Sequence, residues 1–345
     1  PVEPVPFDGP CFFDPAGCAM LRSLPLLRLA TSALCLVLLG WSASPARGGE
    51  PSPASRWQGE YEGCLALPTG PLSVGLQISD LGRGEHAGVE SLGGLPGRGG
   101  QLNRRLASTG RLQDDLLKLE APDRLYVGLG QAVQVFDNSG RQLGRLLPVH
   151  RSSPTAGALP PPGAIVLFDG RTPSELKGAR VTPDGLLQVG CETARPFQDF
   201  LLHVEFQTPT MPAARGQARG NSGVYVQGRY EVQILDSFGL ESQNNDCGAL
   251  YRQRPPTANY CLPPGSWQTY EIEFRAARFD AAGKKSAPAR ITVWHNGFPI
   301  HCQQELTGKT GAGAAEGPEP RPIKFQDHGD QVRYRNLWIL ERPAS

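Results

Sequence analysis

The sequence predicts an all-β protein: a two-sheet antiparallel sandwich or jelly roll from residue 163 onward, preceded by a small β-rich domain over residues 50–150. Three observations lead there. The 42 Gly and 33 Pro among 345 residues, beside 39% apolar residues, divide the chain into short runs rather than long helices. In residues 200–206, Phe200, Leu202, Val204 and Phe206 alternate with Leu201, His203 and Glu205, the period of two that gives a strand one apolar face. Asn296-Gly297, between residues 291–295 and 298–301, is a strong hairpin signal, because a type I′ turn needs positive φ at both central positions.

In chain order, Arg22 and Arg28 with the apolar stretch 29–41 and the small-residue segment 42–46 read as a secretory signal peptide over residues 20–46. The stretch is too short for a stable membrane span. Residues 1–19 are then an extension upstream of the native start, and the mature protein is expected to be secreted or periplasmic. Cleavage near Ala46 leaves Cys64, Cys191, Cys247, Cys261 and Cys302, an odd number. Cys247 and Cys261, the pair closest in sequence, are the expected disulfide, which would contribute about 3 kcal/mol; two buried free thiols are the alternative. Residues 72–78, 124–129 and 132–136 are strand-like and separated by glycines, as in a barrel or an added sheet. Residues 151–162, with Pro160-Pro161-Pro162, read as a stiff linker.

With 34 Lys and Arg against 33 Asp and Glu, a net charge of +1, no global field favours nucleic acid or a membrane surface. A small or neutral ligand fits better. The most informative stretch is residues 219–236. Val224 and Val226 claim the core on one strand, Val232 and Ile234 on the next, so Tyr225 and Gln227 and then Glu231 and Gln233 face away from it. A two-residue turn would put Glu231 opposite Val226, on the wrong face. A three-residue turn over residues 228–230, or a bulge, restores agreement. It gathers an aromatic ring, two amides and a carboxylate on one outward, concave face, which suits a sugar.

Phe168-Asp169-Gly170, Asn221-Ser222-Gly223-Val224-Tyr225, residues 230–236, Cys247-Gly248-Ala249-Leu250-Tyr251, Trp267-Gln268-Thr269-Tyr270, His295-Asn296-Gly297 and Gln326-Asp327-His328-Gly329 with Arg335-Asn336 follow one another in order. On these motifs the region from Gly163 to Leu340 resembles the 3-keto-disaccharide hydrolase domain family. Cys302 departs from it, standing where the family often has an acidic residue. The resemblance implies a concanavalin-like jelly roll and a hydrolase of 3-keto-glycosides or 3-keto-disaccharides. That fold is similar to sandwich glycosidases with Glu-x-Asp-x-Glu on one strand, where residues i and i+2 stand roughly 6.5–7 Å apart. Here position i+2 is Gln233, and an amide is neither nucleophile nor general acid.

A 3-keto substrate offers another route, because the carbonyl acidifies the C2 proton and the C1 leaving group lies β to it. Elimination followed by hydration needs a base near C2, stabilisation of the enolate and an acid for the leaving oxygen. Glu231, Asp236 and His328 are the candidate catalytic residues, histidine being the side chain that changes charge near neutral pH. Arg219, Asn221, Tyr225, Gln227, Gln233, Tyr251, His295, Asp327 and Arg335 are the candidate binders of an oligosaccharide or glycoside. No cofactor is required; a divalent metal held by Glu231 and His328 would stabilise an enolate. A non-catalytic carbohydrate-binding module is the alternative the same polar face supports.

Overall fold

The structure, a computed structural model, describes residues 55–343. The expected signal peptide and upstream extension lie outside the described residues.

The N-terminal region is a closed eight-stranded barrel. Its strands are β1 (Gly59–Leu67), β2 (Gly70–Gly82), β3 (Glu85–Leu92), β4 (Arg105–Gln113), β5 (Leu116–Ala121), β6 (Arg124–Leu129), β7 (Ala132–Asp137) and β8 (Gln142–Val149). Each pairs antiparallel with the next, and β8 returns to β1, so no edge is left open. Alternate residues, among them Leu65, Leu76, Ile78, Leu117, Leu119, Val133, Val135 and Leu146, fill the interior. Trp57 packs there against Gly128, where a Cβ would stand 2.7 Å from the indole. Glu90 is buried in the barrel, accepting from Tyr126 Oη at 2.8 Å and from Arg124 Nη1 at 2.9 Å.

The C-terminal region holds fourteen further strands: β9 (Ile165–Phe168), β10 (Leu176–Lys177), β11 (Leu187–Gln188), β12 (Cys191–Thr193), β13 (Phe200–Gln207), β14 (Ser222–Val226), β15 (Tyr230–Ile234), β16 (Trp267–Arg275), β17 (Arg278–Phe279), β18 (Lys285–Ala287), β19 (Arg290–His295), β20 (Phe298–Glu305), β21 (Lys324–Phe325) and β22 (Arg333–Glu341). A five-stranded sheet runs β10-β12-β21-β14-β15. A seven-stranded sheet runs β11-β22-β13-β16-β19-β20, with β9 beside β22. All named pairings are antiparallel, and one apolar core shared by both sheets includes Phe200, Val204, Val224, Val232, Tyr270, Phe274, Val293 and Ile339. The β19–β20 turn has Asn296 at φ 51° and Gly297 at φ 79°, the positive values its sequence demands.

The outward face of the seven-stranded sheet is also covered. Residues 151–162 lie along it: Gly157 N–H donates to Glu205 Oε1 at 2.5 Å, Ala158 O accepts from Asn336 Nδ2 and Trp338 Nε1, and the Ser153, Thr155 and Thr269 hydroxyls meet within 3.2 Å. Beneath them Glu205 touches Arg335 and His203, and His203 bonds Glu271. Burial opposes the Glu205 charge, but bonds from His203, Asn336, Gly157 N–H and Arg335 hold its carboxyl down at about 2. The barrel docks on the sandwich through Arg105 to Gly239 O and Leu240 O, Arg215 to Leu81 O, and Ser79 to Phe238 O.

Candidate functional site

The hairpin of β14 and β15 pairs Tyr225 with Glu231, Val224 with Val232 and Gly223 with Gln233. Val224, Val226, Val232 and Ile234 fill the core, so Tyr225 and Glu231 share the opposite face. The turn has three residues, but they are Gln227, Gly228 and Arg229, one earlier than expected, with positive φ at Gln227 and Gly228. That places Gln227 in the turn instead of on the face: its amide donates to Phe197 O at 2.8 Å and accepts from Arg229 Nη1 at 2.8 Å. A second correction concerns exposure. Tyr225, Gln227, Glu231 and Gln233 are all buried, not an open face, because residues 308–316 fold over the hairpin. Thr310 N–H and Ala314 N–H donate to Arg229 O and Gly228 O, and Glu231 N–H donates to Thr310 Oγ1 at 2.6 Å.

Glu231 is held from every side. Tyr225 Oη donates to its Oε2 at 2.7 Å. With the Gln233 amide turned so that NH2 meets the acceptors it faces, Gln233 donates to Glu231 Oε1 at 3.0 Å and to Ser222 O at 2.9 Å. Gly223 leaves room for the carboxylate, since a Cβ there would come 2.5 Å from Glu231 Oε1. Gly311, at φ 42°, roofs the pair: a Cβ would lie 3.2 Å from Tyr225 Oη, 3.2 Å from the Tyr251 ring and 3.3 Å from Glu231 Oε2. Burial pushes the Glu231 carboxyl up to about 7, while the Tyr225 bond and the charge of His328 pull the other way. His328 itself is exposed, in the loop after β21.

From this corner a row of side chains crosses the five-stranded sheet. Register aligns Glu231 with Tyr225, Tyr225 with Lys324, Lys324 with Glu192 and Glu192 with Lys177, so all five stand on one face. The row runs into a cavity of about 400 Å³ lined by Lys177, Gly190, Glu192, Lys324, Gln326 and Asp327. The row therefore opens into a groove at its Lys324–Lys177 end, with Tyr225 standing between that groove and the buried Glu231.

The other expected residues are dispersed. Asp236 is buried and paired to Arg219 at 2.7 Å, and Arg219 Nη2 reaches Asp80 O in the barrel at 3.4 Å, so both brace the docking of the two regions. Asn221 binds Asp330 through its N–H and Gln217 O through its amide. Asp327 borders the groove and meets Arg180 at 3.4 Å. His295 is buried in the core, Nε2 3.0 Å from Gln268 Oε1, and desolvation drives it down to about 3. Arg335 lies against Glu205 and Trp267 on the far face of the other sheet. Neither His295 nor Arg335 can meet a ligand beside Glu231. Cys247 and Cys261 are neighbours in the core, but as free thiols instead of the expected bridge. Among the described residues no third His, Cys, Asp or Glu converges with Glu231 and His328 into a metal-binding group.

Gly223, Thr310, Gly311, Glu192 and Lys324 are the site residues that sequence reasoning missed. Gly223 lay within a quoted motif; Thr310 and Gly311 become neighbours of Glu231, and Lys324 and Glu192 join its row, only through long-range contacts.

A family described as a 3-keto-alpha-glucoside-1,2-lyase-like domain matches residues 163–340. Among solved structures, the chain is similar to a candidate glycosyl hydrolase from Parabacteroides distasonis ATCC 8503, at 34% identity over 52% of this chain and 84% of that one, with a TM-score of 0.49. A second such protein from the same organism matches at 21% identity over 52% of this chain and 95% of its own, with a TM-score of 0.40. No curated protein matches.

Proposed function

The chain belongs, through residues 163–340, to the 3-keto-alpha-glucoside-1,2-lyase-like family, and from that premise we propose that it cleaves 3-keto-glycosides with Glu231 as the base that removes the C2 proton. The observation that supports this most is the state of Glu231: a buried carboxylate shifted up to about 7, fixed by Tyr225, roofed by a glycine and aligned on the row of side chains that leads to the groove. Such a group is poised to take a proton near neutral pH.

Paired-carboxylate hydrolysis fits less well. The i+2 neighbour is the Gln233 amide, and the next carboxylate along the row, Glu192, stands three strands away. Three strand spacings are roughly 14 Å, beyond the ~5–9.5 Å over which paired carboxylates cooperate.

In the proposed path the C2–H bond breaks and its proton passes to Glu231, the C1–O bond breaks, and C1=C2 forms in conjugation with the ketone. The leaving oxygen takes a proton from His328. Water then adds hydroxyl to C1 and hydrogen to C2, giving net hydrolysis with the ketone unchanged. Tyr225 and Gln233 hold the carboxylate in one orientation, and Glu192, Lys324 and Lys177 offer hydrogen bonds to sugar hydroxyls along the groove. The leader-like residues 20–46 support an extracytoplasmic setting for this reaction. The test is to incubate the purified protein with 3-keto-glucosides and their parent glucosides side by side, with deuterium at C2. Turnover of the keto compounds alone, with a deuterium isotope effect or loss of label to solvent, is expected. Equal turnover of both with no exchange at C2 refutes the mechanism.

A further inference from the structure

On the core side of the β14–β15 hairpin lies a second cluster that the proposed reaction does not use. Cys247, Cys261 and His295 each bring one donor atom within 4.8 Å of the others, and all three are buried. Cys247 and Cys261 lie in the long connection between β15 and β16, and His295 at the end of β19. Gln268 Oε1 accepts the Leu262 N–H at 3.0 Å, which identifies it as the amide oxygen, and it lies 3.0 Å from His295 Nε2. His295 therefore donates from Nε2 and keeps its lone pair on Nδ1, the orienting bond that metal-binding histidines receive from an acceptor. Tyr270 Oη is 3.1 Å from Cys247 Sγ, and its ring stands edge-on to His295 with centroids 5.0 Å apart.

We propose that Cys247, Cys261 and His295 bind one divalent ion of the zinc class, with the Tyr270 hydroxyl as a neutral fourth neighbour. Two sulfurs and an imidazole around one point suit a borderline-soft cation, whose bonds of about 2.0–2.3 Å require its ligand atoms to lie within ~4 Å of one another, a small contraction from the present spacing. Charge selects the valence. Two thiolates and a dication sum to zero, which a site with no access to water demands, whereas a monovalent ion would leave a bare negative charge in the core. Binding releases the two thiol protons. The site is closed, so its work is structural. Gly248 N–H and Tyr270 Oη both donate to Gln233 O, at 2.9 and 2.7 Å, and the ion thus anchors the strand that presents Glu231.

The experiment uses the full chain carrying no polyhistidine tag, purified without chelator from zinc-supplemented medium. Elemental analysis is expected to give about one zinc per chain, and replacement by Co²⁺ to give a near-ultraviolet thiolate-to-metal charge-transfer band. Cys261→Ser should lose both the metal and that band. If Cys261→Ser does not fold, the wild-type metal content and cobalt spectrum still decide. Zinc below about a tenth of stoichiometry with no cobalt band overturns the proposal, whether thiol titration then finds Cys247 and Cys261 free or bridged.

Discussion

The barrel and the sandwich each bury a glutamate against a tyrosine hydroxyl, and the two pairs are nearly superposable in chemistry. Glu90 accepts from Tyr126 at 2.8 Å, Glu231 from Tyr225 at 2.7 Å, and burial raises both carboxyls. What differs is what completes them. Arg124 closes the Glu90 pair at 2.9 Å, within a barrel whose sheet has no open edge. Glu231 meets an amide in place of a guanidinium and stands on a row of polar side chains that leads, past Tyr225, to a groove. A buried acid neutralised by a fixed cation stabilises a fold; one left to hydrogen-bond donors alone can exchange its proton with a ligand.

Swapping each glutamate for glutamine breaks the comparison most directly. Glu231→Gln should lower kcat by about 10² or more while leaving Tm within a degree or two. Glu90→Gln should do the converse, costing about 1–3 kcal/mol of stability through the poorly matched Arg124 and Tyr126 while leaving kcat unchanged. Thermal melts and turnover on a 3-keto-glucoside, measured for both variants, check it; a loss of activity in Glu90→Gln at full folding would erase the distinction.

A smaller effect follows from acidity. In the proposed role Glu231 acts only when ionised, so kcat/KM should carry an acid limb that bends at about pH 7 and falls about tenfold per pH unit well below it, while the need for a protonated His328 adds a descending limb at higher pH. The stability effect of the same group has the opposite sign. Its folded value lies above the ordinary 4.5, so its contribution is fully present below 4.5 and is lost as pH rises through about 7. A pH–rate profile flat across that range would remove Glu231 from the role of base.

The smallest expected effects sharpen the contrast through two glycines. A methyl at Gly223 would displace the Glu231 carboxylate, and one at Gly128 would displace the Trp57 ring. Gly223→Ala should cut kcat several-fold with little change in stability, and Gly128→Ala should cost ~1–3 kcal/mol by overpacking with kcat intact. Reversal of that pattern would show that the hairpin tolerates movement of its acid.

Much of the hairpin was legible because its signal is local. Val224, Val226, Val232 and Ile234 fix one face, and face agreement alone demands an odd turn. The turn's position was not legible: Gln227 adopts positive φ, a conformation its residue type does not advertise, and so leaves the face to brace Phe197 and Arg229. The cover over Glu231 was hidden for a different reason. Residues 308–315 are mostly Gly, Ala and Thr, with no hydrophobic period, and Thr310 meets Glu231 across 79 positions of sequence. Asp236 and Arg219 read as site residues because their partner, Asp80 O, belongs to a region that could not be placed against the hairpin in advance. His295 flanks a turn in sequence, yet its strand ends inside the core.

The strip of chain between barrel and sandwich bears on where this protein can be cut. Family similarity begins at residue 163, which invites a truncation there for expression. Such a fragment would lose Gly157, Ala158, Ser153 and Thr155, and with them the caps on Glu205, Asn336, Trp338 and Thr269. A strand face bearing a carboxylate, an imidazole and an indole would be stripped bare, leaving buried polar groups without their partners and an indole open to self-association. The recognisable domain and the covered sheet therefore have different first residues, and a fragment that keeps this cover must start before Ser153.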